Sequence, residues 1–429
     1  MGFLKVRPHV EFGSCIVLTF IATPTFRDRG LASLRRADDG SLILDRGLVP
    51  SKTRKMRVRV RTNNRINGCT KPVKPASNEE SIEDRILQAR DTLFEEELFH
   101  ELMREARLMN GQGVTTRQNL IRLAVSEEQE VMLDLVAADQ DASDSVMDES
   151  HEDDKLAEAI SHSIHILLSY AHRQNLHRRT QPPPPLSQKR RPTPEYHLLR
   201  PVLAYLEHGS HVRWMESFLH DMVRVMKSAG IDCDSTAAPF ASLGLQRKNP
   251  SLPKVEALVQ GFLLPLESTF SGSLASPRSS FRIKIRTNLS APPFGTNYDI
   301  SMVLPQNPGI QPPSRVGLKD EAAAIFTHFM MLDVVSAISL QRPPPGEPNG
   351  ISAWQAAYPH HGELLAMSSA TEEPTKTMKV GLTRDEMTVE VQNTRVAEKV
   401  STRSQTWKAD PTQPVQPSLA DFVSDVSKE

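Results

Sequence analysis

The sequence predicts an α+β protein, with long helices and β-hairpins in the N-terminal half and a helix-plus-antiparallel-sheet C-terminal half. Three observations carry this. Apolar residues recur at helical spacing over 82–109 and again over 156–171. Strict alternation of apolar and basic residues runs through Lys55–Arg61. After Gly230 the texture becomes short β-prone runs separated by Pro- and Gly-rich turns. The composition suits such a fold. Of 429 residues 38% are hydrophobic and 24% charged, enough apolar surface for cores. A net charge of −1 argues against a protein that coats polyanions in bulk. The 32 prolines point to folded units joined by stiff linkers, two or three of them at roughly 100–200 residues each.

In the first half, Leu31–Arg36 and Ser41–Asp45 read as a hairpin, because Asp38-Asp39-Gly40 readily takes the positive φ of a tight turn. In Lys55–Arg61, Met56, Val58 and Val60 share one strand face and the charges the other. A helix follows, opened by the capping pairs Ser77/Glu80 and Ser81/Asp84 and closed by Gly111 and Gly113. Ile82, Ile86, Ala89, Leu93, Leu98, Leu102, Ala106 and Met109 form its apolar stripe, opposite an acidic face. Asn119–Val125 and Glu130–Val136 form a second hairpin around Ser126–Gln129. Asp139–Asp154, acidic at 8 of 16 positions, is expected to be a solvated loop. A second long helix covers Lys155–Arg178, and Pro182–Pro185 then starts an extended linker. Helices resume over Tyr196–Leu206 and Val212–Met226.

In the second half the strand-like runs are Ser280–Asn288, Asn297–Leu304, Thr377–Leu382 and Met387–Gln392. One helix, Asp320–Leu340, is apolar nearly all round and belongs buried against a sheet. The expected organisation is a distinct segment 1–25, hairpins and long helix over 26–138 and an acidic loop at 139–154. A helical region with a Pro-rich linker at 180–194 follows over 155–228, then a sheet-and-helix domain over 229–410 and a loosely ordered tail at 411–429.

Tests for chemistry return little. Cys15, Cys69 and Cys233 are too scattered for a disulfide framework or thiolate zinc site, which suits a reducing, intracellular setting. The longest apolar run near the N-terminus, Cys15–Ala22, is far short of a spanning helix. Gly111-Gln112-Gly113 lacks the third glycine of a dinucleotide loop and follows a helix instead of preceding one. Asp139, Asp141 and Ser143 begin like a calcium loop, but Asp144 and Ser150 stand where its glycine and closing glutamate belong. His162 and His165 lack a third ligand and a base, and His360-His361 are adjacent residues that converge poorly on one ion. No nucleophile elbow occurs, so no catalytic residue, cofactor or metal is assigned. Two cationic runs are candidate nuclear import signals: Lys52, Arg54 and Lys55, and Lys189, Arg190 and Arg191. Solvated charge is the alternative for both.

Ile86–Leu102 followed by Arg104–Arg107 closely resembles the signature of the Mediator subunit 17 family in its filamentous-fungal form. So do, in order, Phe26–Leu31, Leu34–Ala37, Leu133–Val136, Leu168–Leu176, Arg190–Pro194 and Leu199–Pro201. The resemblance implies a non-enzymatic transcription coactivator of the nucleus. Such a scaffold subunit of the Mediator Head links regulators to RNA polymerase II. Its implied partners are other Head subunits directly, and activators and the polymerase machinery indirectly, with no membrane or direct nucleic-acid contact. The candidate partner interface is the signature helix, through Phe94, Glu97, Leu98, Phe99, His100, Leu102, Arg104 and Glu105. Family members carry a long N-terminal helical region that has no counterpart in this sequence, so the expectation is a chain that begins beyond it.

Charge is segregated. Residues 27–74 hold 14 basic and 4 acidic side chains, whereas 79–105 hold 3 basic and 10 acidic. Faces of opposite sign suit a scaffold with several partners. The competing reading is a nucleic-acid-binding module built on 27–74.

Overall fold

In the computed structural model, the residues described are 5–7, 16–19, 26, 29, 31–45, 53–71, 81–137, 151–182, 196–238, 241–242, 254–289, 294–312, 315–341, 351–368, 374–393, 402–409 and 416–428. The chain forms two compact units, 1–206 with 247–263 and 207–246 with 264–429.

The first unit contains two antiparallel sheets. One has the order β1-β2-β3-β4, formed by Lys5–Arg7, Ile16–Thr19, Leu31–Arg36 and Leu42–Asp45. Its β3–β4 turn is the expected one: Gly40 sits at φ +86°, and Ser41 donates its N–H and hydroxyl to the Asp39 carboxylate at 2.9 and 2.6 Å. The other comprises β5 (Arg54–Thr62), β6 (Arg65–Cys69), β7 (Val114–Arg117), β8 (Leu120–Ala124) and β9 (Gln129–Ala137), in the order β6-β5-β9-β8-β7. The alternation in β5 is realised, since Met56, Val58 and Val60 are buried. The turn between β5 and β6 uses Asn63 and Asn64, at φ +50° and +67°. Asparagine tolerates that region because its side chain can hydrogen-bond locally.

Helices α1 (Ile82–Leu108) and α2 (Asp154–Thr180) both pack on β5. Ser81 caps α1 by accepting the Asp84 N–H at 3.1 Å, and Gly111 and Gly113 take positive φ just beyond the helix end. Ser77 and most of the acidic loop and Pro-rich linker lie outside the described residues. A short helix, α4 (Lys254–Phe262), completes this unit.

Helix α3 (Leu199–Ser228) is continuous where the sequence predicts two helices. Gly209 lies inside it. A mid-helix glycine costs only about 1 kcal/mol, which the packing of a 30-residue helix overrides. The unit boundary falls within α3 rather than after it. Met215, Phe218, Leu219, Met222, Val225 and Met226 belong to the core of the second unit, so the division lies near residue 206 and not 228.

The second unit contains two further antiparallel sheets. In the first, β10 (Asp234–Ala237), β12 (Leu266–Ser273), β13 (Ser280–Asn288) and β14 (Gly295–Val303) are neighbours in that order, and β11 (Ala241–Ser242) pairs with β12. In the second, β15 (Ile351–Tyr358), β16 (Glu363–Ser368), β17 (Pro374–Leu382), β18 (Glu386–Asn393) and β19 (Thr402–Lys408) follow in sequence order. Helix α5 (Lys319–Leu340) touches β14 of one sheet and β15 to β17 of the other. That is why it is apolar on nearly every side. By length and composition α5 is the one helix among the described residues that qualifies to cross a membrane, and half of its most apolar window is buried in this unit.

The tail, expected to be loosely ordered, carries helix α6 (Leu419–Lys428). Leu419, Phe422, Val423 and Val426 are buried, a one-sided stripe, and Ser418 caps the helix by accepting the Asp421 N–H at 3.1 Å. Two indoles tie this segment down: Trp354 donates to Ser427 Oγ at 3.0 Å and Trp407 to the Pro417 carbonyl at 2.9 Å. Lys376 caps the far end, donating to the Val426 carbonyl at 2.7 Å.

Candidate functional site

The signature helix α1 places its acidic side chains inward. Glu95, Glu96, Glu97, Glu101 and Glu105 are all buried, so they do not form an outward acidic face offered to partners. A buried carboxylate is costly unless it is paired or hydrogen-bonded, and each of these has a partner. Glu95 accepts the Met56 N–H of β5 at 3.0 Å and meets His165 Nε2 of α2 at 2.9 Å. Glu97 meets His172 Nε2 at 3.0 Å. Glu96 stands 3.5 Å from Arg54 and 4.0 Å from Arg29, and Glu101 is 2.8 Å from Arg104.

Glu105 does the most. It accepts the N–H groups of Leu198 and Leu199 at 2.8 and 2.7 Å and that of Arg200 at 3.2 Å. Those donors open α3, whose first turn has no acidic residue of its own. A helix start leaves several N–H groups without intrahelical partners, and its dipole favours a negative charge there. Glu105 therefore caps α3 from another helix. Burial pushes its carboxyl pKa up, against the three donors that stabilise the charged form.

Phe94 is half-buried between the two histidines, stacked on His165 at 5.9 Å and edge-on to His172 at 6.0 Å. The α1–α2 contact is thus a Glu95–His165, Phe94, Glu97–His172 ladder. Burial drives the His165 pKa down, but the Glu95 carboxylate raises it more, leaving it above the ordinary 6.5. A raised histidine contributes stability that is complete below the unfolded-state value and is lost as pH rises through the folded value. The denaturant midpoint is expected to fall as pH rises from about 6.5, and His165→Gln should flatten that slope. An unchanged slope in the variant would assign the pH dependence to other groups.

The structure places the candidate site residues in different settings. Leu98, Phe99, Leu102, Glu97 and Glu105 are packed inside their own unit instead of facing outward. Of the eight candidate interface residues only His100 and Arg104 are exposed, and Phe94 is half-exposed. His100 packs edge-on to Phe26 at 5.1 Å, and Arg104 lies 6.0 Å from the Tyr196 ring. Of the import candidates, Arg54 and Lys55 are held in β5, in register with Ala137 and Val136 of β9. An importin groove takes an extended peptide, so these two would have to leave the sheet. Lys52, Lys189, Arg190 and Arg191 lie outside the described residues.

Several basic residues of the stretch, among those described, are matched by acids. Arg57 and Arg59 share Asp134 at 2.7 and 3.0 Å, Arg61 pairs with Glu130, and Arg35 reaches Asp45 at 3.1 Å. Phosphate recognition draws on cations free to shed counterions. These pairs oppose a nucleic-acid role for 27–74. Among the described residues no three His, Cys, Asp or Glu side chains converge as metal ligands.

A family model described as subunit 17 of the Mediator complex matches residues 22–226. Mediator of RNA polymerase II transcription subunit 17 from Aspergillus oryzae is 58% identical over 422 residues, covering 95% of this chain and 66% of that protein. The chain belongs to the Mediator subunit 17 family. The Aspergillus terreus member is 57% identical across 94% of the chain and 65% of its own length, and the Coccidioides immitis member 33% identical across 90% and 63%. The chain thus spans just under two thirds of these curated relatives. The fold agrees with a chain in the structure of the Schizosaccharomyces pombe Mediator head module, at TM-score 0.50 and 13% identity, covering 76% of this chain and 71% of that one. The Mediator subunit 17 match takes in all of α1 and α2, so the glutamate–histidine ladder lies within the family's matched region.

Proposed function

We propose that this chain is a scaffold subunit of the Mediator Head that works in the nucleus as a coactivator of RNA polymerase II transcription, by binding and not by catalysis. The carrying observation is 58% identity across 95% of the chain to a subunit 17 protein. Its direct partners are other Head subunits, and regulators and the polymerase machinery are reached through them. The non-enzymatic reading is supported by the use of the buried ionisable groups on α1, where carboxylates cap a helix and pair with histidines instead of facing a cleft.

Co-expression with the remaining Head subunits from the same species tests this. Affinity capture of this chain is expected to bring them down in fixed proportion through a size-exclusion step. A chain that elutes alone, while the other subunits assemble without it, would overturn the proposal.

A further inference from the structure

Helix α4 is amphipathic, but its apolar side faces away from the unit it belongs to. At about 100° per residue, Val255, Leu258 and Phe262 fall within about 60° of one another, at i, i+3 and i+7. Val255 and Leu258 are 69% and 64% exposed, and Val259 is the one buried apolar side chain of the helix. The polar side does the anchoring. Glu256 accepts a hydrogen bond from Gln174 of α2 at 3.1 Å and stands 3.7 Å from Arg173. A surface helix ordinarily turns its apolar stripe to the core and its charges to water. Here a carboxylate holds the helix to its unit while two aliphatic side chains face outward. Tyr205 of α3, 47% exposed, extends the stripe, with its ring 6.0 Å from that of Phe262. All of these residues belong to the first unit. Single exposed apolar residues are ordinary, but a contiguous run of them marks a contact surface.

The shape and the border of the stripe say what covers it. A helix has no unpaired backbone ladder along its side, so no strand can be added to it. Ridge residues at i, i+3 and i+7 fit the groove of a second helix. The border along α2 is basic: Arg173 is 66% exposed, and His177 and Arg178 are exposed on the following turn. Glu256, the acid beside Arg173, is only 14% exposed, so the charge offered outward there is positive.

We propose that Val255, Leu258, Phe262 and Tyr205 dock an amphipathic helix of another Mediator Head subunit. Its apolar stripe packs on α4, and its acidic residues meet Arg173 and the end of α2. This rests on the reading of the chain as a Head subunit, and it places the contact on α4, outside the signature helix α1.

The full chain is co-expressed with the remaining Head subunits, with a photo-crosslinking residue at Leu258. Crosslinks are expected to a helical segment of one Head subunit, with apolar residues three or four apart and acids beside them. Leu258→Asp should weaken capture of that subunit by about tenfold or more, because it buries an unpaired charge at the centre of the contact. Val255→Lys should do the same. Both positions are exposed, and an unchanged thermal midpoint of each isolated variant separates loss of the surface from loss of the fold. Arg173→Ala should weaken capture a few-fold at low salt and little at high salt. Crosslinks only to a second copy or to another part of this chain, or capture indifferent to Leu258→Asp and Val255→Lys, would overturn the surface and leave the Head reading intact. Capture indifferent to Arg173→Ala at low salt would overturn the acidic character of the partner. A parent chain that captures no Head subunit would instead overturn the reading on which the surface rests.

Discussion

Glu105→Ala is expected to destabilise the first unit by about 3–5 kcal/mol, because it strips the partner from a cluster of buried donors. The carboxylate is 4% exposed, and it satisfies three consecutive N–H groups at the start of α3. Leu198 and Leu199 are themselves buried, so water cannot easily replace the lost acceptor. Arg200, whose Nε lies 3.7 Å from the same carboxylate, would also lose its counterion. Glu105→Gln keeps one acceptor oxygen and the side-chain volume, and should cost roughly half as much. Urea unfolding reports the total, and hydrogen exchange localises it: the amides of Leu198, Leu199 and Arg200 should lose protection first. A midpoint for Glu105→Ala within about 1 kcal/mol of the parent would show that water or a relaxed backbone replaces the cap.

Much of this architecture is legible in the sequence wherever one periodicity acts alone. Lys55–Arg61 alternates without interruption, and β5 forms with Met56, Val58 and Val60 inside. α5 is apolar all round and touches both sheets of its unit. The elements that escape such a reading do so for physical causes. β12, Leu266–Ser273, and β15, Ile351–Tyr358, are built largely of Ser, Gly, Ala and Thr, whose weak hydrophobic signal is completed only by their neighbours in the sheet. β6 is signalled by Asn63-Asn64, a pair suited to a tight hairpin turn. α6 carries both a cap at Ser418 and a stripe at 419, 422, 423 and 426, signals as good as those that locate α1.

The candidate site is the least legible part. Ten acids against three bases over 79–105 read locally as a solvated face, since a charge run usually is one. Burial of Glu95, Glu97 and Glu105 depends on His165, His172 and the 198–200 backbone, which lie between 70 and 95 residues away. No local pattern reveals such partners. The resemblance places the family signature on α1, yet the reason for those residue types is internal. The glutamates link α1 to β5, to α2 and to the start of α3, so the signature describes how this unit holds together. Surfaces that meet partners are better sought among exposed residues such as His100 and Arg104 than along the apolar stripe.

Asp333→Ala should cost the second unit about 3 kcal/mol or more, for a reason parallel to Glu105. Asp333 is 1% exposed on α5. Its carboxylate accepts the Ser276 N–H at 2.8 Å, the Ser276 hydroxyl in a short bond, and the Ser279 hydroxyl at 3.3 Å. Those serines form the turn between β12 and β13, in which Arg278 sits at φ +66°. A non-glycine residue in that region costs energy that the surrounding contacts must offset. Removing the carboxylate therefore takes the acceptor from the buried Ser276 N–H and hydroxyl, leaves Ser279 only the Ser276 carbonyl at 2.6 Å, and loosens a turn already under strain. Asp333→Asn retains one acceptor and should fall between the parent and alanine. In a double-mutant cycle, Ser276→Ala and Asp333→Ala should couple by about 1–3 kcal/mol, because they sit in one network. Additive losses would mean that the two side chains contribute independently and that the turn is held by its own backbone bonds.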